Sequence, residues 1–269
     1  MSPAPRAVNL DGAAAITYPG GRTGVVLCHG YTGTPQSLGA WPARLAAAGF
    51  SVECPLLPGH GLRWQDMAGT RWTDWYDAVD GAFTDLRGRC DEVFVMGLSM
   101  GGTLALRLAE LHGDDVAGLV LVNPSLTTTR RAARFAPLLK LLVASTPGPG
   151  NDVALPGVVE LAYARHPLRA FDSLRAFWRV VRSDLGRVSQ PLLVFRSAND
   201  HVVEPVSTEL LLAGVASTDV TEVVLADSYH VATLDHDAPR IFAGSIDFVR
   251  RHSRTNSGRS NPGEGVDAQ

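Results

Sequence analysis

Between residues 93 and 111 the chain passes from a short apolar run, through Gly97-Leu98-Ser99-Met100-Gly101-Gly102, into a pattern of helical length. A strand that becomes a helix within so few residues leaves almost no room beside the turn, and glycine at 97 and 101 supplies that room. A strand–turn–helix unit of this kind fits a sheet whose strands are joined by helices. The rest of the chain repeats the alternation. Apolar runs at 24–28, 51–54, 116–122, 192–195 and 222–225 read as strands. The spans 37–48 and 73–87 read as helices, the first ended by Gly49 and the second capped by Thr73, with Trp75, Val79, Phe83 and Leu86 along one face. Residues 56–67, with Pro58, Gly59 and Gly61, read as loop.

From Leu126 to Gln190 the alternation stops and no strand-like run appears. Phe135, Leu138, Leu139 and Leu142 are spaced for one helix, and Leu168, Phe171, Leu174, Val181 and Leu185 for another, with turn chemistry at 146–151 between them. The expectation is an α/β core from 1–125 and 190–252, an inserted helical cap at 126–189, and a disordered tail at 253–269. With 269 residues, 45 % of them hydrophobic, the chain suits one domain with an insertion and is neither disordered nor fibrous. A net charge of −3 with no basic block argues against a nucleic-acid partner. No apolar run approaches the roughly 18 residues of a membrane span, and 13–18 is too short for a signal peptide and lacks a basic flank. Cys28, Cys54 and Cys90 lack metal-ligand spacing and read as buried reduced thiols of a cytoplasmic protein, with no metal and no cofactor expected.

At the end of a strand and the start of a helix, Ser99 stands where a nucleophilic serine is lifted clear of a sheet. A serine hydroxyl needs a base, and the base needs a carboxylate to hold its tautomer. Asp200 follows the 192–195 run and His230 the 222–225 run, in the order Ser, acid, His that this architecture requires. The rival acids Asp227 and Asp184, and the rival bases His201 and His236, are less well placed. Acyl transfer also needs two donors for an oxyanion. These are expected from the backbone N–H groups of Met100 and of Tyr31, within His29-Gly30-Tyr31-Thr32-Gly33, where His29 serves as scaffold. His60 reads as a loop hydrogen-bonder.

These strings, with Pro58-Gly59-His60-Gly61, Glu160-Leu161-Ala162-Tyr163, Asp200-His201-Val202-Val203 and the run from Asp227-Ser228-Tyr229-His230 to Asp235, resemble the α/β-hydrolase superfamily. The likeness is nearest to its bacterial monoacylglycerol lipases and small carboxylesterases, and it spans nearly the whole chain. It implies an α/β-hydrolase fold with a mostly parallel sheet and a small helical cap, a Ser99–Asp200–His230 triad, and a metal-free serine esterase that frees fatty acid from monoacylglycerols. A general carboxylesterase for short to medium chains is the alternative, and a hydrolase-fold acyltransferase a more distant one. Leu138, Leu142, Phe171 and Leu174 are expected to line an acyl tunnel. Glu160, one of few acidic groups in the insertion, is a candidate acceptor for glycerol hydroxyls, against the plainer role of capping a helix or pairing with an arginine. Peripheral membrane contact is open to the insertion, though Arg130-Arg131-Ala132-Ala133-Arg134 departs from the apolar entrance expected there.

Overall fold

Valine- and leucine-rich runs too apolar for any surface become the centre of a sheet in the computed structural model of the chain, which describes residues 12–148 and 150–254. The strands are β1 (Ile16–Tyr18), β2 (Thr23–Cys28), β3 (Ser51–Cys54), β4 (Glu92–Leu98), β5 (Val116–Val122), β6 (Ser145–Pro147), β7 (Arg165–Pro167), β8 (Leu192–Ser197) and β9 (Val220–Leu225). Seven of them form one sheet in the order β1-β3-β2-β4-β5-β8-β9, and β6 pairs separately with β7. β1 is antiparallel to β3, and the other neighbours in the large sheet are parallel. β2 and β4 are buried along their whole length because helices cover both faces. Alternate residues of β2 serve different cores: Val26 and Cys28 pack with Trp75, Val79 and Phe83, while Val25 and Leu27 pack with Trp41, Leu45 and Phe248.

The helices are α1 (Trp41–Ala47), α2 (Trp64–Ala68), α3 (Trp72–Arg87), α4 (Met100–His112), α5 (Ala136–Leu139), α6 (Leu168–Asp184), α7 (Val206–Gly214) and α8 (Ala238–His252). Several differ from the sequence expectation. The helix expected over 37–48 is split into a 3-10 turn, Pro35–Leu38, and α1. Gly39 divides them at φ +56°, where a Cβ would stand 2.7 Å from the Thr233 carbonyl. α2 falls on the end of the segment 56–67 expected to be loop and runs one residue past it. α3 is capped at Arg71 and not at Thr73: the Asp74 carboxylate reaches back to accept the Arg71 N–H at 2.7 Å.

The segment between β5 and β8 holds the short β6–β7 ladder, which the sequence pattern did not signal; Thr146 and Pro147 belong to it and not to a turn. The helix expected through Phe135 and Leu142 is a 3-10 turn, Arg131–Phe135, followed by the single turn of α5. Pro137, near the start of α5, has no N–H to continue the ladder from the preceding turn. Phe135, Leu138 and Leu142 are exposed, so Leu138 and Leu142 do not line an acyl tunnel. α6 is as long as its spacing predicts and is fastened to α3: the rings of Trp72 and Phe177 stack at 4.7 Å, and Ser173 Oγ accepts the Trp72 N–H at 2.9 Å. Such a ring pair contributes about 0.5–1.5 kcal/mol beyond its buried area. After α8, Ser253 Oγ and the Arg254 N–H donate to the buried Glu92 carboxylate. The rest of the expected tail, from 255 on, lies outside the described residues. Cys28, Cys54 and Cys90 are buried free thiols.

Candidate active site

The parallel register brings the loops that follow five strands to one edge of the sheet. Cys28 at the end of β2 is level with Gly97, Leu98 with Val122, Val122 with Phe195, and Ser197 with Leu225. Ser99 follows β4 directly, with φ +57° and ψ −118°. A non-glycine residue held there costs roughly 1–3 kcal/mol, which its surroundings offset. Its N–H donates to the Val122 carbonyl at 2.9 Å, and its carbonyl accepts from Gly102 N–H at 2.9 Å and Ser125 N–H at 3.2 Å. Both flanking glycines are required by contact distance. A Cβ on Gly97 would lie 2.2 Å from the Gly101 carbonyl, and one on Gly101 would lie 2.0 Å from the Cys28 oxygen.

His230, on the loop after β9, donates from Nδ1 to Asp200 Oδ2 at 2.8 Å. The other Asp200 oxygen accepts the Val202 and Val203 N–H groups at 2.8 Å each. Burial by itself raises the Asp200 carboxyl, but the charge and hydrogen bond of His230 and the two amides hold it below the usual carboxylate range. Burial lowers the His230 imidazole, and the charge and hydrogen bond of Asp200, then the charges of Glu160 and Asp152, outweigh it and leave the group raised. Two of the rivals are engaged elsewhere: Asp184 pairs with Arg107 and His201 with Asp152.

Asn123 belongs to this site and was not singled out in the sequence. At the end of β5, with φ +45°, it donates from Nδ2 to the His230 carbonyl at 2.8 Å and accepts the Ser197 N–H at 2.7 Å. An asparagine directly after a strand and before Pro124 was its one signal, since asparagine tolerates positive φ better than most residues.

Ser99 and His230 open onto a cavity of about 560 Å³ whose walls include Gly30, Tyr31, Leu139, Glu160, Phe171 and Leu174. Gly30 lets the loop after β2 approach the serine: a Cβ there would be 3.4 Å from Ser99 Cβ. His29 holds that loop, donating to the Gly30 carbonyl at 3.0 Å and accepting the Leu57 N–H at 3.2 Å. Burial lowers its pKa to about 3 and that of His60, whose ring packs on it, to about 4, so both are neutral scaffolding. Met100 begins α4, where the first N–H groups have no intrahelical acceptor. Tyr31 lines the cavity and fixes its ring by donating to the Pro167 carbonyl at 3.0 Å.

Glu160 is half-buried and belongs to no helix. A Cβ on Gly33 would touch its Oε1 at 2.8 Å, so the carboxylate lies against the loop after β2. Among the described residues no side chain pairs with its carboxylate. Burial, reinforced by Asp152, pushes its pKa up to about 7 against the lowering effect of His230.

Residues 25–244 match the model of the alpha/beta hydrolase family. The chain belongs to that family. This alpha/beta hydrolase is 38 % identical over 247 residues to the thermostable monoacylglycerol lipase of Bacillus sp. (strain H-257), covering 91 % of this chain and 97 % of the relative. It is 21 % identical over 237 residues to a carboxylesterase of Bacillus subtilis (strain 168), covering 88 % and 96 %. Among solved structures it is similar to one described under the metagenome-derived lipolytic enzymes LipS and LipT, with TM-score 0.89, 37 % identity and 91 % and 100 % coverage. The monoacylglycerol lipase of Paleococcus ferrophilus shares the fold, with TM-score 0.76 at 20 % identity over 89 % and 98 % of the two chains.

Proposed function

We propose that this alpha/beta hydrolase is a serine esterase that cleaves monoacylglycerols to fatty acid and glycerol through an acyl-enzyme on Ser99. The observation that carries this is a strained serine and an aspartate-paired histidine opening on one cavity that also presents a carboxylate with no side-chain partner among the described residues. Ser99 Oγ attacks the ester carbonyl carbon while its proton passes to His230 Nε2. The tetrahedral oxyanion is held by the N–H groups of Tyr31 and Met100. Its collapse breaks the bond to glycerol, and the leaving oxygen takes the proton from His230. Water then attacks the acyl-enzyme with His230 again as base, freeing the acid and restoring the serine. Asp200 keeps the imidazole oriented and stabilises its charged form.

Residues 126–189 serve as the cap and 1–125 with 190–252 as the catalytic core. Glu160 accepts the free glycerol hydroxyls, each charge-assisted bond contributing about 1.5–3 kcal/mol. Similarity to the Bacillus monoacylglycerol lipase over nearly both chains supports the substrate class. The exposed apolar part of the cap, flanked by Arg130 and Arg131, rests on the lipid surface that supplies substrate.

A substrate panel tests this reading. Monoacylglycerols should be hydrolysed with higher kcat/KM than di- or triacylglycerols, which place bulk where the hydroxyls belong, and Ser99→Ala should be inactive on all of them. Hydrolysis of short p-nitrophenyl esters without that of monoacylglycerols would make the protein a general carboxylesterase instead.

A further inference from the structure

Both backbone groups of His230 are held by side chains from other elements. Its carbonyl accepts from Asn123, and its N–H donates to Asp152 Oδ2 at 3.0 Å. Asp152 comes from the segment between β6 and β7, and its carboxylate is nearly enclosed, at 12 % exposure. The same Oδ2 accepts the His201 N–H at 3.2 Å, Oδ1 pairs with His201 Nδ1 at 2.8 Å, and the Asp152 carbonyl accepts the Val231 N–H at 3.1 Å. One side chain therefore grips the loop of the base at His230 and the loop of the acid at His201, the residue after Asp200.

Asp235 answers from the histidine loop. Its Oδ2 accepts the N–H groups of Ala154 at 2.7 Å and Tyr229 at 2.9 Å, and its Oδ1 those of Leu155 and His236 at 2.9 Å each. Each carboxylate crosses into the other's segment, and bonds of this charge-assisted kind are about twice as strong as neutral ones.

Resting on the triad reading above, we infer that Asp152 is a positioning residue for the reaction: through one carboxylate it fixes the His230 and Asp200 loops to the segment that roofs the cavity, and so sets the aim of the imidazole at Ser99. Asparagine keeps the shape and removes the charge: its one amide oxygen can accept the His230 and His201 N–H groups only as a neutral acceptor, with its NH2 turned to the His201 ring, so the charge-assisted part of the grip is lost. Asp152 also acts through its charge. The charged groups facing His230 are Asp200 from the loop after β8 and Asp152 and Glu160 from the roof, while His201 faces Asp152 and Arg130 donates to the His201 carbonyl.

The test is the full pH profile of kcat/KM for Asp152→Asn and Asp152→Glu, beside the parent and Ser99→Ala, on a monoacylglycerol and on a p-nitrophenyl ester of equal chain length. Asp152→Asn should lose between about tenfold and a hundredfold, in kcat more than KM as expected of a displaced base, and equally on both esters at pH well above 7, where Glu160 is ionised in parent and variant alike. Its acid limb should move to lower pH, because a charge that favours the imidazolium is gone. Asp152→Glu keeps the charge and displaces the loop, so it should lose kcat with the limb in place. A folded Asp152→Asn with parental kcat/KM and an unmoved limb would overturn the inference. If Asp152→Asn does not fold, parental kcat in Asp152→Glu overturns it equally. Activity surviving in Ser99→Ala would instead bring down the triad reading, whatever Asp152 does.

Discussion

Burial pushes the Glu160 pKa up to about 7, so the carboxylate that the proposed head-group role requires forms only above that pH. The raised pKa gives the sign of a prediction. The ratio of kcat/KM on a monoacylglycerol to that on a p-nitrophenyl ester of equal chain length should rise as pH increases through about 7. The ionisation of His230 divides out of this ratio because both esters need the same base. Glu160→Gln should flatten the ratio and hold it at the low-pH level; an unchanged, rising ratio in that variant would remove Glu160 from head-group recognition. The placement of Ser99, Asp200 and His230 at one edge of the sheet is legible in the sequence because Ser99 directly follows a strand and the other two lie a few residues past one, and parallel strands carry such positions to one edge. Asn123 and Asp152 are not. Their roles depend on N–H and carbonyl groups distant in the chain, and a single polar residue in a loop carries no periodicity to reveal them.

Helices and strands are most legible where burial alone determines them. Residues 51–54 and 116–122, expected as strands, are the whole of β3 and β5, where all residues but Glu53 and Ala117 are buried. The roof segment is the least legible: the stripe from Phe135 to Leu142 has helical spacing, but spacing does not say whether a core faces it, and here most of it faces solvent. Two glycines separate the demands of an element from those of the site. Gly81 lies within α3 with nothing within 4 Å of an added Cβ. Gly81→Ala should therefore stabilise the protein by about 0.5–1 kcal/mol, read as a higher Tm with activity unchanged. Gly101→Ala, whose Cβ would meet the Cys28 carbonyl, should lower Tm through a loss of about 1–3 kcal/mol or more and abolish activity with it. Parental Tm and activity in Gly101→Ala would show that the turn yields more easily than these contacts imply.

For the molecule as a whole, no helix among the described residues is long and apolar enough to cross a membrane. Yet Leu141 and Leu142 stand 74 % and 84 % exposed beside Leu138 and Phe135, near the mouth of the cavity that Leu139 helps to line. Fully burying each such side chain in lipid contributes about 1.5–3 kcal/mol, enough for reversible surface binding. The protein should sediment with vesicles containing phosphatidylglycerol, and Leu138→Ser with Leu142→Ser should reduce that binding while sparing hydrolysis of a water-soluble p-nitrophenyl ester. A parent that stays in the supernatant would contradict surface docking. Docking, head-group choice and the grip of Asp152 all presuppose one covalent event. Intact-mass analysis after treatment with an alkyl fluorophosphonate measures it directly. One adduct per chain is expected, mapped to Ser99 and absent from Ser99→Ala, with hydrolysis by that variant lower by at least about a thousandfold while its fold is retained. Labelling of Ser99→Ala at the parental rate, or a parent that hydrolyses esters without being labelled, would contradict that expectation.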